Sequence, residues 1–586
     1  MKNSGCFSLR SGFCLRLMSV VFSLCFILAG CSSGGSGGGN SSKEPTDDVV
    51  PSANVIDSTV SDIYDFYNVG DTFDVSEDSV VDVDESDVNN CPIGHDFVAD
   101  TCVEGDATFY LAVNGDDLDA GSKTSPWKTF SFAFSQMGSG DTLIVMDGEY
   151  NEAITGIPNG LAGNYTVVMA ESNFGVEIDG DFLVDSPLEI KNTQHHIYVQ
   201  GFHFKGANTT GNVHVARVGL SIDYTNELPD DGAHHVVLSQ NIFQGGDVAE
   251  TNFRSSVVVV EVSKNILLKD NVAFGKANRS QFEVFRSSNV VLRRNLARWD
   301  SVNGDNQELG QTASSFVLSD TSHSILENNL ALDGLHTSAP GTTTASFYMT
   351  AHYIGCNENR VLGNVALNNA SRSGMAIDPG NNNNTDGFVW TCNNNLIESN
   401  VLWNNAGGLG YGVDVGQVSA ASNRVNNVLV NKNTIGGHTQ GRGVSVDGGV
   451  KNVLFIHNIL FDNGTVANRD YSKLSVGGSL FYLFGKMEGG VGEINMINNT
   501  VELDPILRDL TQIDSSSPAK GAASDGGDIG ANVIKRYQNS VLTDDDLWPW
   551  LNEAVIQQKL CADVAETRGL CAFDSITDYV RQQVSY

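Results

Sequence analysis

Between residues 238 and 499 short apolar runs recur, each closed by an asparagine with an apolar residue three places before it. The pairs are Leu238 with Asn241, Leu268 with Asn271, Leu292 with Asn295, Leu326 with Asn329, Val361 with Asn364, Ile397 with Asn400, Phe455 with Asn458 and Met496 with Asn499. Up to Asn400 the asparagines are 30, 24, 34, 35 and 36 residues apart, and Asn427 continues the series in poorer register. A fixed local motif at variable spacing is what stacked coils with loop insertions of different lengths produce. Each coil has a few short strands that cannot bury their inner face alone, so neighbours must stack, about 4.8 Å apart, before a core exists. An asparagine at the same corner of each coil passes amide hydrogen bonds up the stack and tolerates a left-handed corner. All nine asparagines therefore read as structural, with no catalytic role.

The segment before this series carries a more specific pattern. Phe109-Tyr110-Leu111-Ala112-Val113-Asn114-Gly115 leads to Ser125-Pro126-Trp127-Lys128-Thr129-Phe130, then to Gly138-Ser139-Gly140-Asp141-Thr142-Leu143-Ile144-Val145 and Gly148-Glu149-Tyr150. It resembles the N-terminal cap and first coil of right-handed parallel β-helix proteins of the pectate-lyase-like group. The resemblance implies an all-β chain: a right-handed parallel β-helix, a single-stranded solenoid with an N-terminal cap and a small C-terminal helical cap. The stretch from Asp504-Pro505 to Gly527-Asp528-Ile529-Gly530-Ala531 looks like a terminal coil. Residues 552–560 and 574–584 are expected to form short helices that cover the open solenoid end with Val555, Leu560, Ile576, Tyr579 and Val580, since a bare end is an unpaired edge.

Composition narrows the function. The 586 residues include 70 acidic and 34 basic ones, a formal net charge of −36, with only 18% of residues charged. Binding nucleic acid calls for a clustered cationic face, so that class is excluded as the main function. Only 12 prolines accompany 61 glycines, which excludes collagen and proline-rich disorder and asks for many tight turns.

At the N-terminus, Lys2, Arg10 and Arg16 precede an apolar run from Leu17 to Gly30, the charged-then-apolar order of a secretory signal. The run ends Leu28-Ala29-Gly30-Cys31, which resembles a bacterial lipoprotein lipobox. The resemblance implies acylation of Cys31 and anchoring to the lipid bilayer, each buried CH₂ contributing about 0.8 kcal/mol. An ordinary cleaved signal with a chance cysteine is the alternative. The expected place is the bacterial cell envelope, at the outer membrane or cell surface. Residues 31–90 then read as a lipidated Gly/Ser and acidic tether, 91–106 as a small disulfide hairpin, 107–537 as the β-helix and 538–586 as the C-terminal cap. Six cysteines remain after export, and proximity favours Cys91 with Cys102, Cys561 with Cys571 and Cys356 with Cys392.

A solenoid presents side chains at regular vertical steps, which suits an extended polymer, but fold alone does not decide function. Pectate-lyase-like enzymes remove the proton beside a uronate carboxylate. That chemistry needs a cation, commonly Ca²⁺ on several carboxylates, and a base. Counting five past each ladder asparagine gives Gly246, Lys276, Asp300, Gly334, Asn369 and Asn405, which sets Lys276 beside Asp300 with Asp247 close by. Lys276, with Arg298, is the candidate base; Asp247, Asp300 and Asp305 are the candidate calcium ligands, with Glu308 near them. Arg279, Arg286 and Trp299, in the densest basic stretch of the chain together with Arg293 and Arg294, are candidates for binding sugar carboxylates and rings. The same residues also read as a stacked surface ion pair worth at most about 1 kcal/mol and a solvated basic face.

Two further patterns carry less. His195-His196 and His234-His235 occupy places where later coils have Asn265, Asn289 and His323, and so read as turn residues rather than metal ligands. Gly374-Met375-Ala376-Ile377-Asp378-Pro379 resembles an alginate-epimerase signature but lacks its Tyr and His. Two functions fit: a surface-tethered monomer that binds and cleaves acidic polysaccharide by calcium-assisted β-elimination, or a non-catalytic carbohydrate-binding, adhesion or structural surface protein.

Overall fold

The computed structural model describes residues 95–98, 101–104 and 107–582, apart from residues 192, 208–213, 221–231, 247–254, 278, 301–313, 336–343, 380–389, 406–410, 417–423, 439–441, 447–449, 462, 464–472, 477–478, 483–493, 498–504, 524 and 563–568. Each coil visits three sheets in turn. Sheet 1 has thirteen strands, from Thr108–Leu111 to Ile494–Ile497; sheet 2 has eleven, from Gly148–Tyr150 to Ile459–Phe461; sheet 3 has ten, from Ile154–Thr155 to Arg442–Val446. Neighbours in all three are parallel and come from consecutive coils, which makes the chain a right-handed parallel β-helix.

The residue three before each ladder asparagine from Asn241 to Asn458 points inward, and the strand positions stack in register. Leu238 pairs with Leu268, then Leu292, Leu326, Val361, Ile397, Val430, Phe455 and Met496. On sheet 3 the rings of Phe282, Phe316 and Phe347 stack at 5.1 and 5.2 Å. Offset ring stacks of this kind add to the burial of their large apolar area.

The asparagine ladder is continuous from Asn241 to Asn458. From Asn271 on, each Oδ1 accepts from the backbone N–H and the amide of the asparagine one coil earlier, as Asn329 does from Asn295 at 2.9 and 3.0 Å. Each Nδ2 donates to the carbonyl of the residue three before the previous ladder position, as Asn329 does to Leu292 at 2.7 Å. Two expectations are corrected. The rung between Asn400 and Asn458 is Asn433, not Asn427. The left-handed residue is the one before each rung: Gln240, Asp270, Arg294, Asn328, Gly363, Ser399, Lys432 and His457, with φ from 50° to 60°. Asn427 belongs to a second left-handed row, at the entrance to sheet 1, with His196, His235, Asn265, Asn289, His323, Glu358 and Asn394, all at φ 52° to 59°.

The N-terminal cap follows the sequence pattern. Helix α1, Phe130–Gln136, starts at Thr129, whose hydroxyl accepts from the Phe132 N–H and donates to Asp117 at 2.8 Å. Phe130, Ala133 and Phe134 are buried, and Trp127 stacks on Phe109 at 4.6 Å. Ahead of the cap, His95–Val98 and Thr101–Glu104 pair as an antiparallel hairpin that contains Cys102. Its expected bond to Cys91 lies outside the described residues, as does Cys31. Cys356 is bonded to Cys392 and Cys561 to Cys571.

The C-terminal segment does not sit across the end of the solenoid. Among the described residues after Ile497 no strand joins the three sheets, and the chain turns back along the outer face of sheet 2. That face carries an apolar row, Ile242, Val272, Leu296, Leu330, Val365, Val401 and Ile459, each at most 4% exposed. It packs against Leu510, Ile529, Leu547, Trp550 and Leu560 and against helices α2, Glu553–Cys561, and α3, Ile576–Arg581. Burying a side chain of this size contributes roughly 1.5–3 kcal/mol, so the row is the main attraction. Polar contacts fix the path. Ala531 N–H donates to Thr434, Tyr537 N–H to Asn328, Asn539 and Ser540 N–H to Glu327, and Leu570 N–H to Asp333. Tyr537 also lies against the left-handed Gly363, where a Cβ would come within 2.8 Å of its ring.

Candidate functional site

The expected line of charges is only partly assembled. Gly275 pairs with Trp299, so Lys276 and Asp300 are adjacent in register as counted, and Lys276 is exposed. The Asp300 carboxylate, however, is gripped by Arg298 at 2.8 and 3.0 Å and accepts from the Gly275 N–H at 2.9 Å. Arg298 lies on the covered face of sheet 2, 4% exposed, over the Phe274 ring and against Cys571. A guanidinium buried in that ion pair under the C-terminal segment is a structural group, which corrects its assignment as a base. Strand alternation turns the next residue, Trp299, into the interior at 2% exposure, where no sugar reaches it. Asp247 and Asp305 lie outside the described residues. Arg293 and Arg294 are likewise buried, paired with Glu327 at 2.7 Å and with Asp270 at 2.8 Å.

Arg279 and Arg286 fall elsewhere, on the outer face of sheet 3, where four coils converge. Glu283 points outward from the strand Ser280–Phe285, accepting from Arg279 at 3.0 Å and from the Ser256 hydroxyl at 2.5 Å. At the following corner Arg286 and, one coil on, Asp320 are both left-handed, with φ 47° and 51°. The corner puts the Arg286 guanidinium over the Tyr353 ring, 4.2 Å from its centroid, with Phe285 at 5.4 Å. Arg286 is 4% exposed, its Nε has no hydrogen-bond partner, and no carboxylate among the described residues lies within ion-pair distance of it. One Asp320 oxygen accepts the N–H groups of His352, Tyr353 and Ile354 at 2.7 to 2.9 Å. The other is buried without a hydrogen-bond partner.

His352 stands among these groups, its Nε2 3.1 Å from the Thr350 hydroxyl. Burial lowers its pKa, with Arg279 acting in the same direction, while Asp320, Asp378 and Glu283 oppose the shift. Asp378 follows Thr350 in register on the next strand. Tyr353, 45% exposed, and Trp390, with rings 6.2 Å apart, form an aromatic edge beside the cluster. Lys276 is at the opposite corner of its coil, between sheets 2 and 3, whereas His352 follows sheet 3 on the way to sheet 1. Sequence spacing missed Glu283, Asp320, His352, Tyr353 and Asp378 because each is supplied by a different loop length. Besides Arg279 and Arg286, the faint signature around Asp378 was the sequence signal in this region.

Calcium, implied by the resemblance, does not fit at Asp300, whose two oxygens already face Arg298. One acidic group among the described residues brings three carboxylates together: Glu149, Glu177 and Asp179, with ligand atoms within 4.8 Å. Lys205 already meets Glu177 at 2.5 Å and Asp179 at 3.2 Å, and His203 meets Glu177 at 3.0 Å. The hydrogen bond from His203, helped by Lys205 against partial burial, holds Glu177 down to about 2. Two of its three carboxylates are therefore already engaged by the chain's own Lys205. No helix among the described residues is long and apolar enough to cross a membrane.

No protein-family model matches the chain, and no curated protein does. Solved structures do. A pectate lyase, Pel9A, is 15% identical over 73% of this chain and 96% of its own, with a TM-score of 0.36. A mannuronic acid specific family 6 polysaccharide lyase from human gut microbiota is 12% identical over 62% and 83%, with a TM-score of 0.38. The A-module of a mannuronan C-5 epimerase from Azotobacter vinelandii is 13% identical over 63% and 92%, with a TM-score of 0.37. At these values the likenesses do not say which side chains act here.

Proposed function

We propose that the protein is an exported β-helix, held at the bacterial cell envelope through acylated Cys31, that binds an acidic polysaccharide on the outer face of sheet 3. One observation carries this reading: Arg286 is a buried cation over aromatic rings, and no carboxylate among the described residues, that of its register neighbour Asp320 included, forms an ion pair with it. A buried charge without a counter-ion costs several kcal/mol unless a ligand supplies one. A uronate carboxylate would do so, with Tyr353 and Trp390 offering flat faces to the sugar rings. The local positive charge is enough for approach despite the net −36, because screening at physiological salt acts over roughly 8 Å. The test is calorimetric titration with polyuronates and with neutral polysaccharides. Arg286→Asn, which keeps a residue tolerant of the left-handed corner, should weaken uronate binding at least ten-fold. Equal affinity for the variant, or for neutral polymers, would remove the basis of the reading.

A second reading, β-elimination on the bound polymer, is favoured by His352, a half-buried imidazole whose pKa is lowered. In that step the imidazole takes the proton beside the carboxylate, the neighbouring C–O bond breaks, and a C=C bond forms as the departing oxygen is protonated. The unsaturated product absorbs in the ultraviolet. Its formation by the wild type but not by His352→Gln, with binding intact in both, would establish a lyase. Binding without product on any polyuronate leaves the non-catalytic binding protein.

A further inference from the structure

The four histidines at the entrance to sheet 1 form a compact nitrogen cluster on the half-exposed outer surface of two coils. His195 stacks on His234 at 4.8 Å and 8°, and His196 on His235 at 4.6 Å and 2°. Within each coil the rings are perpendicular, with the Nδ1 atoms of His195 and His196 2.9 Å apart and those of His234 and His235 2.8 Å apart. Ligand atoms of His196, His234 and His235 all lie within 4.8 Å of one another.

Turn formation accounts for only half of this cluster. His196 and His235 are left-handed, at φ 53° each, and Asn265 and Asn289 do the same work in the next coils. His195 and His234 are in ordinary strand conformation, and their register partners one and two coils on are Lys264 and Ser288. Nothing in the corner requires imidazoles there. Two nitrogens bound at about 2.0–2.1 Å to one ion at a right angle are about 2.9 Å apart, whereas a tetrahedral ion spreads them to about 3.3 Å. Within this set the 2.8 Å gap between the Nδ1 atoms of His234 and His235 is close to the right-angled case.

We infer that His196, His234 and His235, with His195 beside them, bind one divalent late transition ion that favours nitrogen in a tetragonal arrangement, Cu²⁺ or Ni²⁺. Each ligating ring gives the ion one nitrogen lone pair, and a proton held on that nitrogen moves to the other nitrogen of the same ring. The site is independent of the sheet 3 cluster.

The test is a Cu²⁺ titration of the protein without a histidine tag, followed by electron paramagnetic resonance, with Zn²⁺ and Ca²⁺ in parallel. The comparison variant is His196→Asn with His235→Asn, which copies the residues of the next two coils and so keeps the corners. The wild type should take up one equivalent of Cu²⁺ with nitrogen hyperfine structure and bind Zn²⁺ more weakly and Ca²⁺ not at all. The variant should lose at least ten-fold in Cu²⁺ affinity with an unchanged metal-free melting temperature. No uptake by the wild type, equal uptake by both proteins, or Zn²⁺ bound more tightly than Cu²⁺ would overturn the inference.

Discussion

Replacing Asn329 with alanine tests what the ladder contributes. Asn329 is fully buried and its side chain makes four hydrogen bonds. Its Oδ1 accepts from the Asn295 backbone at 2.9 Å and from the Asn295 amide at 3.0 Å. Its Nδ2 donates to the Leu292 carbonyl at 2.7 Å and to Asn364 Oδ1 at 2.9 Å. Alanine leaves two donors on Asn295 without acceptors in a dry interior. At about 1–3 kcal/mol for each unsatisfied group, the expected loss is about 2–6 kcal/mol, a large share of a typical domain's stability. Because each coil contacts chiefly its neighbours, the damage should be local. Hydrogen exchange should accelerate in the coils holding Asn295, Asn329 and Asn364 while the N-terminal cap keeps its protection. Asn427→Gly is the control: it removes a half-buried bond to Asn394 of 3.1 Å and keeps a residue at ease at φ 54°, so about 1 kcal/mol or less should be lost. If Asn329→Ala costs no more than this control, or if exchange rises evenly over the molecule, the ladder is not the local brace that its bonds imply.

Two further outcomes follow from buried groups. Burial, with Arg217 nearby, lowers the His214 pKa from 6.5 to about 3, and burial lowers that of His438 to about 4. Both favour the neutral form in the folded state, so their stabilisation is complete above pH 6.5 and is lost as pH falls towards these values. The unfolding free energy from denaturant titration should drop over that window, by roughly 4 kcal/mol for His214 alone, and His214→Asn should flatten the dependence. Tyr579→Phe removes a hydroxyl that donates to Asp333 and accepts from Asn368 at 2.8 Å. It should cost about 1–3 kcal/mol and speed proteolysis of the C-terminal segment while the coils stay resistant.

The stacking register was legible because its signal is chemical as well as periodic: the apolar residue three before Asn fixes both the inner face and the corner. Applied strictly, it selects Asn433, with Val430 before it, over Asn427, which has Arg424 at that place. The covered flank also left a trace. Residues immediately after the rungs, such as Ile242, Leu296, Leu330 and Val401, are apolar although they point outward. An outward row on a solvated sheet should be polar. That row marks a partner surface, and it explains why Arg298, two places further along the same face, is unavailable to solvent. The sheet 3 cluster was opaque for a different reason. Glu283, Asp320, His352 and Asp378 meet only after loops of unequal length close, so no single offset collects them.

The strap along sheet 2 also orders the events of folding. Coils can add one upon another from the N-terminus, but the stripe from Ile242 to Ile459 has no cover until residues beyond 505 arrive. During that interval a growing solenoid shows a long adhesive stripe, the condition under which neighbouring chains associate wrongly. Shortening the chain before Leu547 should therefore yield a protein whose coils form and whose solubility fails, separating the requirements for stacking from those for remaining a single molecule.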